Sequence, residues 1–167
     1  MELSIQDWGA IGELVGAAGV IATLLFLAFQ IRANTKESRL TATADIARDY
    51  NTYLQHITAD EELSRLWMNA VDRDFHALRD DEQARAIMVM GNFFRIMESA
   101  YLQHVSGRMD QTSWQGYERL IARSVSSSAF PVYWELRKTW HTDAFQLLVE
   151  EACKAPDSVQ MFPRGED

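Results

Sequence analysis

Arg95 and Glu98 stand three residues apart in a mostly apolar stretch from Ala86 to Leu102. Residues at that spacing share one helix face, where they can pair with each other or with groups on neighbouring helices. Two readings follow: a polar site within a helical bundle, or a buried structural ion pair. Glu13 and Gln30 are the other polar residues placed where chemistry could occur, near the two ends of an apolar run. At the mouths of a ring of assembled helices they would suit a cation path; otherwise Glu13 simply sits among lipid headgroups. His56, His76, His104 and His141 fall on separate segments, with no HExxH, no ExxH pair and no Cys/His spacing suited to zinc or a di-metal site. Ser126, Ser127 and Ser128 lack a surrounding G-x-S-x-G and read as a loop between helices. Phosphate-cradling glycine motifs are missing as well, so no catalytic residue is assigned and no metal or cofactor is expected.

The element that sets the address of these groups is the uncharged run Leu14 to Phe29, LVGAAGVIATLLFLAF. A bilayer core about 30 Å thick needs roughly 20 apolar residues in a helix, which the chain supplies from Ala10 or Ile11 to Ile31. A signal peptide would carry a basic start and a small-residue cleavage site. Here Glu2 and Asp7 precede the run, and Gln-Ile-Arg-Ala-Asn follows it. A buried core helix is the remaining alternative to a transmembrane span. Arg32, Lys36, Arg39 and Arg48 all follow the run, and basic flanks stay on the cytoplasmic side. The expected topology is therefore single-pass, with the N-terminus outside, Trp8 at the outer headgroups and the C-terminal domain cytoplasmic. A single cysteine, Cys153, excludes an intrachain disulfide and agrees with a reducing compartment.

Small residues recur along this helix: Gly9, Gly12, Gly16, Gly19 and Thr23 follow spacings of three, four, three and four. They make one face on which a second helix can approach closely, and close packing is what holds helices together in lipid. Glycine is also simply common in membrane helices. With one span per chain, the partner in the packing reading is another chain, so a homo-oligomer is expected.

The 167 residues, 47% hydrophobic and 11% aromatic, suffice for one core of ordinary size beyond the anchor. Net charge is −8 with a pI near 5.0, which argues against a nucleic-acid partner. The basic residues lie beside the apolar run instead, where each is worth about 1 kcal/mol against anionic headgroups. Membrane lipid is thus the expected partner surface.

Periodicity predicts helices throughout. Leu40, Ala44, Ala47, Tyr50, Leu54 and Ile57 recur at three and four with no Gly or Pro before them, so the anchor is read as running on in one long helix to about Ile57, Asn34 and Thr35 being the only place suited to a break. Thr58-Ala-Asp-Glu61 reads as a capping box opening a helix through Leu63, Leu66, Trp67, Ala70 and Val71. Asp80 or Asp81 opens the next, with Ile87, Met90, Gly91, Phe94, Met97, Tyr101 and Leu102, ending at Gly107. Asp110 caps a fourth (Trp114, Tyr117, Leu120, Ile121, Val125), Ser128 precedes a fifth with Pro131, Trp134, Leu136 and Trp140, and Thr142 starts a sixth with Phe145, Leu148, Val149 and Ala152. No sustained strand alternation, hairpin dipeptide or repeat is present. The expected fold is all-α, an N-terminal transmembrane helix continuing into a cytosolic helical bundle. Its divisions are 1–35 for tail and span, 36–154 for the domain, and 155–167 for a polar tail. The aromatic residues at 114, 117, 130, 133, 134, 140 and 145 suit core packing of the last three helices, or the walls of a ligand pocket.

Three segments, GAIGELVGAAGVIATLLFLAFQIRANT, FFRIMESAYLQH and VYWELRKTWHTDAF, carry a resemblance over residues 8–152 to uncharacterised bacterial single-span membrane proteins with a helical cytosolic domain, which implies a bacterial origin and an inner-membrane address. The chain is also loosely similar to small CRISPR-associated membrane pore proteins, whose cytosolic domains are related to HEPN ribonucleases. The HEPN motif has four to six residues between Arg and His, whereas three lie between Arg137 and His141 here and eight between Arg95 and His104. With the motif lacking, the resemblance implies no RNA cleavage. Two functions are expected from these residues: a non-catalytic, self-associating membrane protein acting as scaffold, sensor or pore; or a tethered domain binding a small ligand, or carrying an enzymatic site, around Arg95 and Glu98.

Overall fold

A computed structural model of the protein describes residues 5–154, without the side chains of some positions before Leu40. The tail expected over 155–167 lies outside the described residues. Helix is the regular structure throughout them and no strand occurs among them, so the all-α expectation holds. The chain divides into two units, Met1–Arg39 and Leu40–Asp167.

The first unit is the N-terminal part of helix α1 (Ile5–Ala59). The helix runs on through Asn34 and Thr35 without a break, as the continuous reading expects. Thr35 turns its hydroxyl back to donate to the Ile31 carbonyl at 2.8 Å, as Thr23 does to Gly19 at 2.8 Å, so neither competes for the helix backbone from outside. Val20, Ile21, Leu24, Leu25, Phe26, Phe29 and Ile31 are all more than half exposed. From Gly16 onward the helix contains a stretch of mean hydropathy 1.6, none of it buried.

The second unit is built around α3 (Asp80–Val105), which packs against α2 (Glu61–Asp72), α4 (Gln111–Ser124) and α5 (Phe130–Arg137). Helix α6 (Asp143–Lys154) closes on α4. Two short 3-10 turns, Phe75–Ala77 and Lys138–Trp140, join α2 to α3 and α5 to α6. Small residues set the close approaches: Ala70, Ala86, Ala100 and Ala129 are fully buried among Phe94, Met97, Phe145 and Val149. Ser128 ties the turn regions together, its hydroxyl accepting from the Phe75 N–H at 2.9 Å and donating to the Ala70 carbonyl at 3.2 Å.

The helix starts follow from capping chemistry, with one correction. Asp110 accepts from the Ser113 N–H at 2.9 Å, as expected, but α2 is capped by Asp60, which accepts from the Leu63 N–H at 3.0 Å. Thr58 is still in α1 and spends its hydroxyl on the Leu54 carbonyl at 2.9 Å, so it is free for no cap. Gly107 takes φ +72°, the left-handed conformation that ends α3. The apolar face of α1 within the second unit also differs from expectation. Ile57 is buried and Ala47 and Tyr50 are half-buried as expected, but Leu40, Ala44 and Leu54 are exposed, and Ala42, Ile46 and Tyr53 are buried in their place. This part of α1 carries two apolar stripes, and the one bearing Tyr53 wins because its ring meets Trp67 edge-on at 6.1 Å and Phe93 at 6.1 Å.

Candidate functional site

The sequence pair Arg95 and Glu98 does form, but as the outer part of a longer chain of polar groups. Three residues apart on α3, the two side chains meet at 3.3 Å, Arg95 Nη1 to Glu98 Oε2. Glu98 is 5% exposed at its side chain and Arg95 57%, so the carboxylate is inside the bundle and the guanidinium at its rim. The acid is matched mainly from across the fold. His141 Nδ1 lies 2.8 Å from Oε2, and the Thr142 N–H donates to Oε1 at 2.7 Å. On the far side of the imidazole, Nε2 is 2.7 Å from the Tyr133 hydroxyl.

Local sequence explains how His141 reaches this place. The chain leaves α5 through the Lys138–Trp140 turn, and His141 is extended at φ −105°, ψ 154° before α6 begins. Thr142 takes the cap position, its carbonyl accepting from the Gln146 N–H at 2.9 Å, while the Gln146 side chain donates to the His141 carbonyl at 2.8 Å. That leaves the Thr142 N–H, at the positive end of α6, pointing to a buried carboxylate. An aromatic wall fixes the imidazole plane: Trp134 stacks on it at 5.8 Å and 18°, and Phe94 and Phe145 approach at 6.4 and 5.3 Å.

Burial alone would raise the Glu98 pKa, but the Thr142 N–H and the His141 ring together outweigh it and hold the carboxyl below its ordinary value. Glu98 is thus ionised, and His141 must present Nδ1–H to it. The tautomer leaves Nε2 to the phenol of Tyr133. A hydroxyl beside an imidazole that is oriented by a carboxylate is the arrangement of an activated nucleophile. Here burial works against it. Tyr133 is fully buried, and its hydroxyl pKa is pushed up by that burial, with Glu98 adding to the rise and Arg95 and Arg137 opposing it. The group therefore acts as a neutral, positioned phenol rather than as a phenolate.

Two members of this relay, Tyr133 and His141, line a cavity of about 360 Å³, with Glu98 behind them. Helix α3 contributes Ile87, Met88, Gly91, Asn92 and Arg95, and the opposite side is made by Tyr133, Arg137, Trp140 and His141. A Cβ on Gly91 would sit 3.6 Å from the Tyr133 ring, so the glycine keeps that wall open. Arg137 lies 4.3 Å over the Trp140 ring, a cation–π contact at the entrance. Arg95 also donates to the Trp140 carbonyl at 3.3 Å, holding the α5 turn against α3. Trp140 itself is 60% exposed, which corrects the expectation of a core position: its 3-10 turn rotates it off the inward face of α5. Trp114, Phe130, Tyr133 and Phe145 are buried as expected.

The remaining expected site residues belong to the first unit. Glu13 and Gln30 are exposed on one helix, about 25 Å apart at 1.5 Å per residue, so a single chain does not join them. A Cβ added at Gly9, Gly16 or Gly19 would meet nothing within 4 Å. The surroundings of Trp8, Gly12, Lys36 and Arg39 lie outside those described. Among the described residues no group of three or more His, Cys, Asp or Glu side chains is arranged to hold a metal. No protein-family model, curated protein or solved structure matches the chain.

Proposed function

We propose that the protein is a membrane-tethered, non-enzymatic binding protein whose helical domain takes a small ligand in the cavity between α3 and α5. The observation that carries this reading is a cavity of about 360 Å³, within the size range of small-molecule sites, lined by Tyr133 and His141, whose ring is held from behind by Glu98. A relay of three buried polar groups costs desolvation and is worth keeping where it holds a site in shape. Thermal-shift screening of the full chain in mild detergent with aromatic acids, amides and amines is expected to return stabilising compounds. Gly91→Leu would fill the cavity from α3 and should abolish those shifts. A panel without hits, or hits retained in Gly91→Leu, would overturn the reading.

The tether is the apolar part of α1, with its large side chains exposed from Val20 to Ile31. Removing such a surface from water is worth about 25 cal/mol per Å², and a bilayer is the partner its length suits. The basic residues that follow favour placing the domain in the cytoplasm, and the resemblance implies a bacterial inner membrane. Self-association through Gly9, Gly12, Gly16, Gly19 and Thr23 is a second reading, favoured by the open surface over Gly9, Gly16 and Gly19. Gly16→Leu is expected to reduce the oligomer in a membrane reporter assay, whereas Ala18→Leu, on another face, should leave it. Equal behaviour of the two variants would remove this reading and leave a monomeric tethered domain.

A further inference from the structure

We propose that the ligand of the α3/α5 cavity is an organic monoanion, a carboxylate on a flat apolar body, with Arg95 as the group that recognises its charge. The inference rests on the cavity being the ligand site and adds the chemical class.

Charge is the first argument. The chain carries −8 overall, yet the cavity wall holds Arg95 and Arg137 and no Asp or Glu. Both cations are partly engaged already. Arg137 stacks on Trp140 and donates through Nη1 to the adjacent Leu136 carbonyl at 3.3 Å. Arg95 shares Glu98 with His141 and the Thr142 N–H, so the single carboxylate behind it is divided among three donors. What remains uncompensated at the cavity is closer to one positive charge than to two, which matches a monoanion.

Geometry is the second argument. The bonds from Arg95 to Glu98 and to the Trp140 carbonyl both use Nη1, and both are long at 3.3 Å. Neither engages Nη2 or Nε, the edge of the guanidinium fork that suits the two oxygens of a carboxylate. The side chain is 57% exposed and sits at the rim, where it can turn that edge to an incoming ligand without leaving a buried charge behind. Glu98 keeps two stronger partners, at 2.7 and 2.8 Å, when Arg95 is shared.

Shape supplies the rest. Ile87, Met88 and the Trp140 ring make apolar walls, with Gly91 and the Tyr133 ring beside them. An aromatic or similarly planar body stacks there, while a fully hydrated ion such as free phosphate gains nothing from those walls.

The test compares indole-3-carboxylate with its neutral isostere indole-3-carboxamide by calorimetry on the full chain in detergent micelles. The carboxylate is expected to bind about tenfold more tightly, the difference of one charge-assisted bidentate contact. Arg95→Met should remove that preference, bringing the carboxylate and the carboxamide to about equal affinity. Arg95→Lys, which keeps the charge without the fork, should retain only part of it and serves if the methionine variant does not fold. Gly91→Leu should abolish both compounds. Equal affinities in the unaltered protein would overturn the anion assignment while the ligand cavity stood. Failure of both compounds to bind would overturn the two together.

Discussion

Glu98→Ala is expected to destabilise the helical domain by about 3 kcal/mol, a fall in thermal midpoint of roughly 10 °C. The cost arises from what the substitution leaves behind. His141, 2% exposed at its side chain, loses the acceptor at Nδ1, and the Thr142 N–H loses the acceptor that completes the start of α6. The imidazole is then a buried donor without a partner, worth about 1–3 kcal/mol, and the Thr142 N–H a part-buried one that adds less, whereas the loss of the half-exposed Arg95 contact adds little. Glu98→Gln keeps the shape and one acceptor oxygen and should cost less than half as much. Acid offers an independent check with a definite sign. Because the folded-state pKa of Glu98 is depressed, its contribution is fully present above the ordinary glutamate value of about 4.3 and is lost as pH falls through the lower folded value. Urea unfolding followed by circular dichroism should therefore give a gap between Glu98→Ala and the unaltered protein that is widest near neutral pH and narrows below about pH 4. A gap under about 0.5 kcal/mol at neutral pH would mean that the relay is not a structural element of the domain.

Phe94→Ala should be the most damaging single change in the core, at about 3–5 kcal/mol. Its ring is fully buried and stacks on Tyr133 at 5.0 Å and 20°, while meeting Phe93 at 5.3 Å and Phe130 at 5.5 Å. Truncation opens a void directly beneath the relay, so Tyr133 and His141 would lose the wall that sets their planes. Phe94→Leu should be milder, about 1.5 kcal/mol, since most of the volume is kept. Met88→Ala is the informative control. Met88 lines the cavity but is 71% exposed, so its removal should change stability by less than about 0.5 kcal/mol. If Phe94→Ala proved no worse than Met88→Ala by chemical denaturation, the described packing of α3 against α5 would be wrong.

Helix periodicity carried most of the fold. The inward faces of α2, α3, α4 and α6 were legible because a helix repeats every 3.6 residues and each of these segments has one apolar stripe. Where two stripes compete, as between Leu40 and Ile57, spacing alone could not choose; the aromatic contacts of Tyr53 did. Capping failed in the same way at Thr58 and Asp60. Both residue types can cap, and only the actual end of α1 decided which side chain was left to do so.

For the site, the sequence by itself determined that Arg95 and Glu98 share a face, since three residues is close to one turn. It also determined that the protein has an uncharged run of membrane length and no recognisable catalytic signature. Tertiary structure alone decided that Glu98 is an interior acceptor. Its main partners, His141 and Thr142, lie 43 and 44 residues away, beyond the reach of any local periodicity. Tyr133 joins through a turn whose shape no motif announces. The Trp-His-Thr-Asp segment at 140–143 held one faint clue, a cap-forming threonine right after a histidine. That a buried carboxylate waits for both is a property of how α3, α5 and α6 pack, because burial and the pairing of a charge depend on neighbours that meet only when the chain is folded.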